Sequence, residues 1–288
     1  MKLEEKMIEA LKIKENNFGK DIIFSYPNKT LAVTTTGNQC SLKCAHCNGH
    51  YLKNMTDINE IDEKMKNRNI DSFLISGGCS FDGDVPIINH LKNIKMLKNK
   101  GYKINAHLGL MDELDVGKIA EYIDVASFDI ILNDETIRNV YKIDKKKEDY
   151  IKSYEILKKY TRVVPHICIG IDSGKIKGEY DALEYLETQK PDSITFIVLI
   201  PTKGTYFEKI QPPKIEEVID IICEARMKFP DININLGCMR PRGKYRKQLD
   251  KMAVLSGINN IVMPSKEAVE EAVNIKCNIQ KLERCCVL

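Results

Sequence analysis

The feature that most constrains this chain is an alternation: short β-branched runs are separated, over and over, by longer stretches with helical periodicity. The runs are Leu31–Thr36, Ser72–Ser76, Lys103–His107, Val125–Ile130, Val163–Cys168, Ser193–Ile200, Ile232–Leu236 and Asn260–Met263, eight candidate strands. Between them, helical spacing recurs near 58–67, 86–100, 112–122, 135–159, 179–190, 214–228, 245–256 and 266–275. Strands joined through helices return to the sheet in the same direction, so this pattern dictates a parallel sheet covered by helices. The expectation is an α/β fold, a (β/α) TIM-like barrel, fully or nearly closed, in a single domain. Residues 1–30, with Leu3, Met7, Ile8 and Leu11 at helical spacing, are expected as a helical or extended lead-in. The barrel is expected over 31–275, and 276–288 as a Cys-rich tail folding over the barrel mouth.

Composition narrows the function classes. With 44 basic and 41 acidic residues the net charge is +3 over 288 residues, too even a balance to hold nucleic acid by charge alone. A chain that is 43% hydrophobic and 30% charged can bury a large core, which excludes disordered and fibrous classes. No apolar run reaches the roughly 20 residues that span a bilayer, and Met1–Lys6 lacks a signal-peptide layout, so a cytoplasmic protein without membrane or nucleic-acid partners is expected. Ten cysteines in a reducing compartment point away from structural disulfides and toward metal or redox chemistry. The lysine-rich stretch Lys142–Lys159 reads as a solvated helix face.

In barrels of this kind chemistry sits on the loops that follow the strands. The loop after the first candidate strand carries Cys40-Ser-Leu-Lys-Cys44-Ala-His46-Cys47. Three thiolates with spacers of three and two residues can hold several corners of an iron–sulfur cubane from one loop. A zinc site is the alternative and needs His46 or His50 as a fourth ligand, whereas a redox pair at Cys44 and Cys47 leaves the third cysteine without use. After the second strand, Gly77 and Gly78 permit close backbone approach and positive φ, or make a plain tight turn. Asp129 ends the fourth strand, at the mouth or as a helix N-cap. Cys223 lies in an apolar helix and reads as core, while Cys168 sits within a strand and reads either way. Cys238 closes the seventh strand, and Cys277, Cys285 and Cys286 lie in the tail. The last four residues match a prenylation box in form only, with no polybasic lead-in.

The Cys-x3-Cys-x2-Cys loop after the first strand of a βα barrel resembles the radical S-adenosylmethionine (radical SAM) superfamily, over most of the chain. The segments Gly170–Gly174, Gly178-Glu179 and Pro201-Thr-Lys-Gly-Thr205 resemble its biotin synthase and hydrogenase-maturase branch. Ser76-Gly-Gly-Cys79, Gly237-Cys-Met-Arg-Pro241 and the Cys-rich terminus are similar to a subunit of the two-component, archaeal-type lipoyl synthase. With no cysteine before Cys40, the chain departs from the single-chain lipoyl synthase, whose auxiliary cysteines are N-terminal.

The resemblance implies that Cys40, Cys44 and Cys47 bind three irons of a 4Fe-4S cluster whose fourth iron chelates SAM. It implies that His46 touches the adenine, that Gly77 and Gly78 line the SAM site, and that Asp129 faces it. Cys79 stands where the family carries an acid for the SAM ammonium, which leaves the partner of that group open. Cys238, Cys277, Cys285 and Cys286 are the implied ligands of a second, auxiliary 4Fe-4S cluster, with Arg240 and Arg242 balancing its charge or binding an acidic carrier. The implied activity is generation of a 5'-deoxyadenosyl radical for sulfur insertion into an octanoyl chain on a lipoyl carrier protein. A second radical SAM subunit and a ferredoxin or flavodoxin are the further implied partners. The alternatives are carbon-skeleton rearrangement or cofactor maturation on a small molecule and, in another class, a zinc- or cluster-stabilised binding protein without turnover.

Overall fold

The computed structural model describes residues 1–66 and 68–288; Asn67, the last residue of the helix expected at 58–67, lies outside the described residues. The strands are β1 Asp21–Ser25, β2 Thr30–Thr34, β3 Thr56–Asp57, β4 Ser72–Ser76, β5 Lys103–His107, β6 Val125–Asp129, β7 Val163–Ile169, β8 Ser193–Val198, β9 Asn233–Leu236, β10 Asn260–Val262 and β11 Asn278–Leu282. They form one sheet in the order β11-β1-β10-β9-β8-β7-β6-β5-β4-β2-β3, with every pairing parallel. The sheet curls into a barrel that its hydrogen bonds do not close. β1 and β2 are consecutive in the chain, yet β1 pairs with β10 and β11 while β2 pairs with β3 and β4.

Among the described residues, eight expected strands become eleven. β1 belongs to the sheet rather than to a lead-in, because Ile22 and Phe24 alternate with Ile23 and are fully buried against the core. β11 is an edge strand whose polar alternation, Asn278-Ile-Gln-Lys-Leu282, hid it in the tail. The helix expected at 135–159 is broken: a single turn at Asp134–Thr136 runs into a π-type turn, Ile137–Tyr141, and the helix proper is Lys147–Tyr160. Lys142 between them has φ +59, which ends the first segment. On the helix, Lys152, Lys158 and Lys159 are exposed as expected of a solvated face.

Strand alternation sorts the side chains. Phe128 of β6 points outward onto Tyr150 and Tyr154 of the helix Lys147–Tyr160, at ring separations of 6.2 and 6.1 Å, which leaves Val125, Ser127 and Asp129 facing the lumen. The lumen is polar, and its polar groups are paired across neighbouring strands. Asn105 bonds Ser127 (2.8 Å), Asn235 bonds Thr195 (3.2 Å), Ser25 bonds Asn260 (2.8 Å) and Thr30 bonds Ser72 (2.8 Å). Such pairing removes the desolvation penalty a buried hydroxyl or amide otherwise carries, about 1–3 kcal/mol each. The helix Leu3–Phe18 packs on the helix Ile215–Lys228, where Lys6 reaches Asp220 at 2.7 Å.

The tail lies at the opposite end from the one expected. Beyond β11, Arg284 makes a two-pronged ion pair with Asp71 just before β4, both contacts at 3.0 Å. The Cys285 amide donates to Thr30 at the start of β2, and Val287 packs on Val125 and Val164 at the starts of β6 and β7. Arg162 donates to the Val287 carbonyl at 2.7 Å. The tail therefore plugs the N-terminal end of the barrel and does not cover the mouth. Its apolar Val287 finds a hydrophobic seat there.

Candidate active site

The cysteine loop is anchored from three sides at the C-terminal rim. The Ser41 amide donates to the Cys79 carbonyl (2.9 Å), the Ala45 amide to the Val140 carbonyl in the π-type turn (2.7 Å), and the Phe207 amide to the Ala45 carbonyl (3.2 Å). Gly78 makes the first anchor possible. A Cβ on it would lie 2.0 Å from the Gln39 carbonyl oxygen and 2.5 Å from the Cys40 Cα, so the chain passes in direct contact with the cysteine loop. Its amide donates to Thr36 Oγ1 at 2.7 Å, and Thr36 in turn donates to Gln39 O at 2.8 Å. Neither Gly77 nor Gly78 has positive φ, so close approach, and not the expected freedom of conformation, is what excludes a side chain.

The loop opens onto a cavity of about 290 Å³ whose lining includes Cys40, Cys44, His46, Cys47, Gly77, Gly78, Cys79, His107, Ser127 and Asp129. All the cluster and SAM residues expected at the mouth are thus brought to one space. Cys44 and Cys47 are close enough to share a hydrogen bond; it and the neighbouring His46 bring the Cys47 thiol down to about 4, while the same bond and burial push Cys44 up. Burial, with Cys40 and Cys47 nearby, pushes Cys79 up to about 12. Among the described residues no three His, Cys, Asp or Glu side chains are already closed into a metal-ligand set. The donor chemistry nevertheless fits a thiophilic iron cluster. His46 fits a ligand too: its Nδ1 is buried without a hydrogen-bond partner, and its ring stands 5.3 Å from Tyr141.

Asp129 sits at the end of β6 on the cavity wall and caps no helix; Asn133 caps the following turn instead. Burial raises its carboxyl, opposed by His166 and His46. Two groups went unnoticed in the sequence, His107 of β5 and His166 of β7, whose rings meet in the lumen at 5.4 Å. Burial lowers each to about 4, so both are neutral imidazoles, and the His166 Nδ1 lies 3.0 Å from the Val164 carbonyl. Their signal was available: each is a histidine within a strand run, alternating with Asn105 on β5 and with Val164 on β7, the positions that face the lumen. Tyr51 was also missed; its hydroxyl bonds Thr202 at 2.7 Å and ties the cysteine loop to the Pro201–Thr205 segment.

The tail cysteines divide. The Asn105 amide donates to Cys285 Sγ at 3.6 Å, which sets Cys285 on the lumen floor. A hydrogen bond with Cys286 lowers Cys285 to about 7 and raises Cys286. Cys238, exposed at the end of β9, feels the charge of Cys285, as Cys286 feels that of Cys238. Cys277 does not join them: its electrostatic neighbours are Lys14, Glu15 and Lys20. Arg240 is likewise withdrawn from the role expected of it. It is fully buried and clamps Asp250 through two contacts of 2.6 and 2.8 Å while donating to the Gly237 carbonyl. Arg242 is exposed.

No protein-family model matches the chain. It is 26% identical over 298 aligned residues to a biotin synthase of Francisella philomiragia, covering 95% of this chain and 90% of that one. A biotin synthase of Ruthia magnifica is 30% identical over 101 residues, 33% of this chain and 31% of its own length. Among solved structures, methylornithine synthase (PylB) superposes with a TM-score of 0.70 at 16% identity, covering 96% of this chain and 89% of that one. The hydrogenase maturase HydG of Carboxydothermus hydrogenoformans gives 0.72 at 15% identity, over 96% and 71%. SuiB of Streptococcus suis bound to S-adenosylmethionine gives 0.53 at 17% identity, over 77% and 52%. The fold is that of the radical SAM enzymes. With the biotin synthase relatives, these neighbours support an enzyme of the radical SAM class. Among the described residues no helix is long and apolar enough to cross a membrane.

Proposed function

We propose that the chain is a SAM-cleaving radical enzyme in which Cys40, Cys44 and Cys47 hold a 4Fe-4S cluster at the mouth and a substrate enters the lumen beneath it. The observation that carries this reading is the three-cysteine loop, seated on Gly78 and Cys79 and opening onto a single cavity. Bound there, a reduced four-iron cluster supplies the electron that splits SAM into methionine and the 5'-deoxyadenosyl radical. The chain's own contribution is placement. Gly77 and Gly78 leave room beside the cysteine loop, the unpartnered His46 Nδ1 offers a hydrogen bond to the nucleoside, and Asp129 offers its carboxyl on the facing wall. Tyr51 and Tyr141 add two aromatic rings to the same cavity wall.

For the transformation itself, sulfur insertion remains the leading reading, supported by Cys285 and Cys286 at the lumen floor, in electrostatic reach of Cys238 beyond the end of β9, as ligands for an auxiliary cluster. Cys277 is left out of that set. An octanoyl chain on a lipoyl carrier protein is the proposed substrate, a ferredoxin or flavodoxin the proposed electron donor, and a second radical SAM subunit a proposed partner. One observation favours the alternative, rearrangement or maturation of a small polar molecule: an acyl chain lying against Asn105, Ser127, Thr195 and Asn235 gains little from burial. The test is anaerobic reconstitution, reduction and incubation with SAM, with 5'-deoxyadenosine as the product measured. The Cys40/Cys44/Cys47→Ala variant should make none; product from that variant overturns the site. Iron and sulfide per chain in the same variant then separate the two transformations: a remaining four-iron cluster supports sulfur insertion, and no remaining iron favours the alternative.

A further inference from the structure

Cys79 is the one thiol on the cavity wall that neither the cluster nor the floor set uses. Among the described residues, it stands with Cys40, Cys44 and Cys47 as the only cysteines lining that space. Its main chain is locked to the first of them: the Cys79 carbonyl accepts from the Ser41 amide at 2.9 Å and faces the Cys40 Sγ at 3.9 Å, and the preceding Gly78 is in contact with the Cys40 Cα. The side chain is only half-buried, so it meets the cavity and is not packed away from it. It is in electrostatic reach of all three loop thiols. A thiol is a weak hydrogen-bond partner for an ammonium group but a strong soft ligand for iron.

We propose that Cys79 is a displaceable cap, a fourth thiolate that binds the cluster's open iron while SAM is absent and gives way when SAM arrives. The inference rests on the cluster assignment to Cys40, Cys44 and Cys47. The exchange balances without an oxidant or reductant. Capping would exchange a solvent ligand on the open iron for the Cys79 thiolate, with the water and the thiol proton released to solvent; SAM binding would exchange the thiolate for the amino and carboxylate groups of SAM, and the proton lost by the SAM ammonium returns to the thiolate. The consequences are a protected resting cluster and a weaker apparent SAM affinity, since only the uncapped fraction binds. A cap engaged in about nine molecules of ten weakens that affinity about tenfold.

The experiment compares reconstituted wild type, Cys79→Ala and Cys79→Val, the last keeping side-chain volume without sulfur. SAM affinity is measured by equilibrium dialysis, and loss of the open iron under mild ferricyanide oxidation is followed by electron paramagnetic resonance as conversion to a three-iron cluster. Both variants should bind SAM about tenfold more tightly and lose the open iron faster than wild type when SAM is absent, with SAM restoring protection. Equal affinity and equal iron loss in wild type and Cys79→Ala would overturn the cap while leaving the cluster assignment intact. A Cys79→Val protein that behaves like wild type would reduce the effect to packing and also overturn it. Wild type that takes up no four-iron cluster on the loop would overturn both the cap and the assignment.

Discussion

Replacing Gly78 by alanine tests whether the cysteine loop is held by direct main-chain contact. The added Cβ would meet the Gln39 carbonyl oxygen at 2.0 Å, Cys40 Cα at 2.5 Å and Cys40 Cβ at 2.6 Å. Ordinary contact begins at 3.4 Å, so the loop must retreat by about 1.4 Å, and backbone cannot swing aside as a side chain does. Overpacking of this kind costs about 1–3 kcal/mol, and each 1.4 kcal/mol is roughly tenfold in the population of the seated loop. The retreat moves Cys40 and breaks the Ser41 to Cys79 hydrogen bond, so the loss should fall on iron retention before SAM affinity. Gly77→Ala is the internal comparison. Its Cβ would press on side chains only, the Thr35 hydroxyl at 2.6 Å, Val85 at 3.1 Å and the Thr36 methyl at 3.2 Å, which can shift where backbone cannot, and its iron loss should be the smaller. The assay is iron and sulfide per chain after anaerobic reconstitution, and again after gel filtration, with circular dichroism confirming the fold. Full iron retention in Gly78→Ala, equal to Gly77→Ala, would refute the argument that Gly78 seats the loop.

Asp250→Ala strands the buried Arg240 guanidinium and should cost roughly 3–5 kcal/mol in denaturant unfolding while leaving SAM affinity unchanged in the folded fraction. Deleting residues 285–288 removes Val287 from its seat on Val125 and Val164 and should lower stability by about 2 kcal/mol, read from the same unfolding curves; an unchanged midpoint would mean the plug is not packed. The neutral pair His107 and His166 makes stability pH-dependent: below about 6.5 the unfolded chain takes up protons that the folded pair, held near 4, refuses. Stability should therefore be flat above pH 6.5 and fall steadily toward pH 4, and His166→Gln should flatten part of that slope in pH-dependent unfolding.

The β/α rhythm and the site were legible for the same reason: both are written in contiguous residues. Strands β4 to β8 stand where β-branched runs stood, because a strand covered by helices must be apolar on its outer face, as Phe73, Ile75, Ile104 and Phe196 are. The cysteine loop and Gly77-Gly78 were visible because each is a local motif. What escaped reading depends on partners distant in sequence. β11 looks polar because it is an edge, and only β1, more than 250 residues away, makes it a strand. Arg240 looked like a surface cation until Asp250 met it on the next helix. Cys277 and Cys285 look alike in the chain, and only the path of β11 sends one outward toward Lys14 and the other onto the lumen floor.

The seam between β1 and β2 has a kinetic side. β1 precedes every other strand of the sheet in the chain, yet its hydrogen-bond partners are β10 and β11, so Ser25 meets Asn260 across a sequence separation of 235. Closing a loop of that length costs on the order of 5 kcal/mol of chain entropy before any contact is gained, and such long-range pairing slows folding. During that wait β1 shows unpaired amide and carbonyl groups on both edges, with Ile22, Ile23 and Phe24 between them, the kind of edge that recruits other chains. The barrel should therefore assemble from β4 outward, and the step most exposed to aggregation is the last one, when the oldest strand in the chain finally meets the youngest.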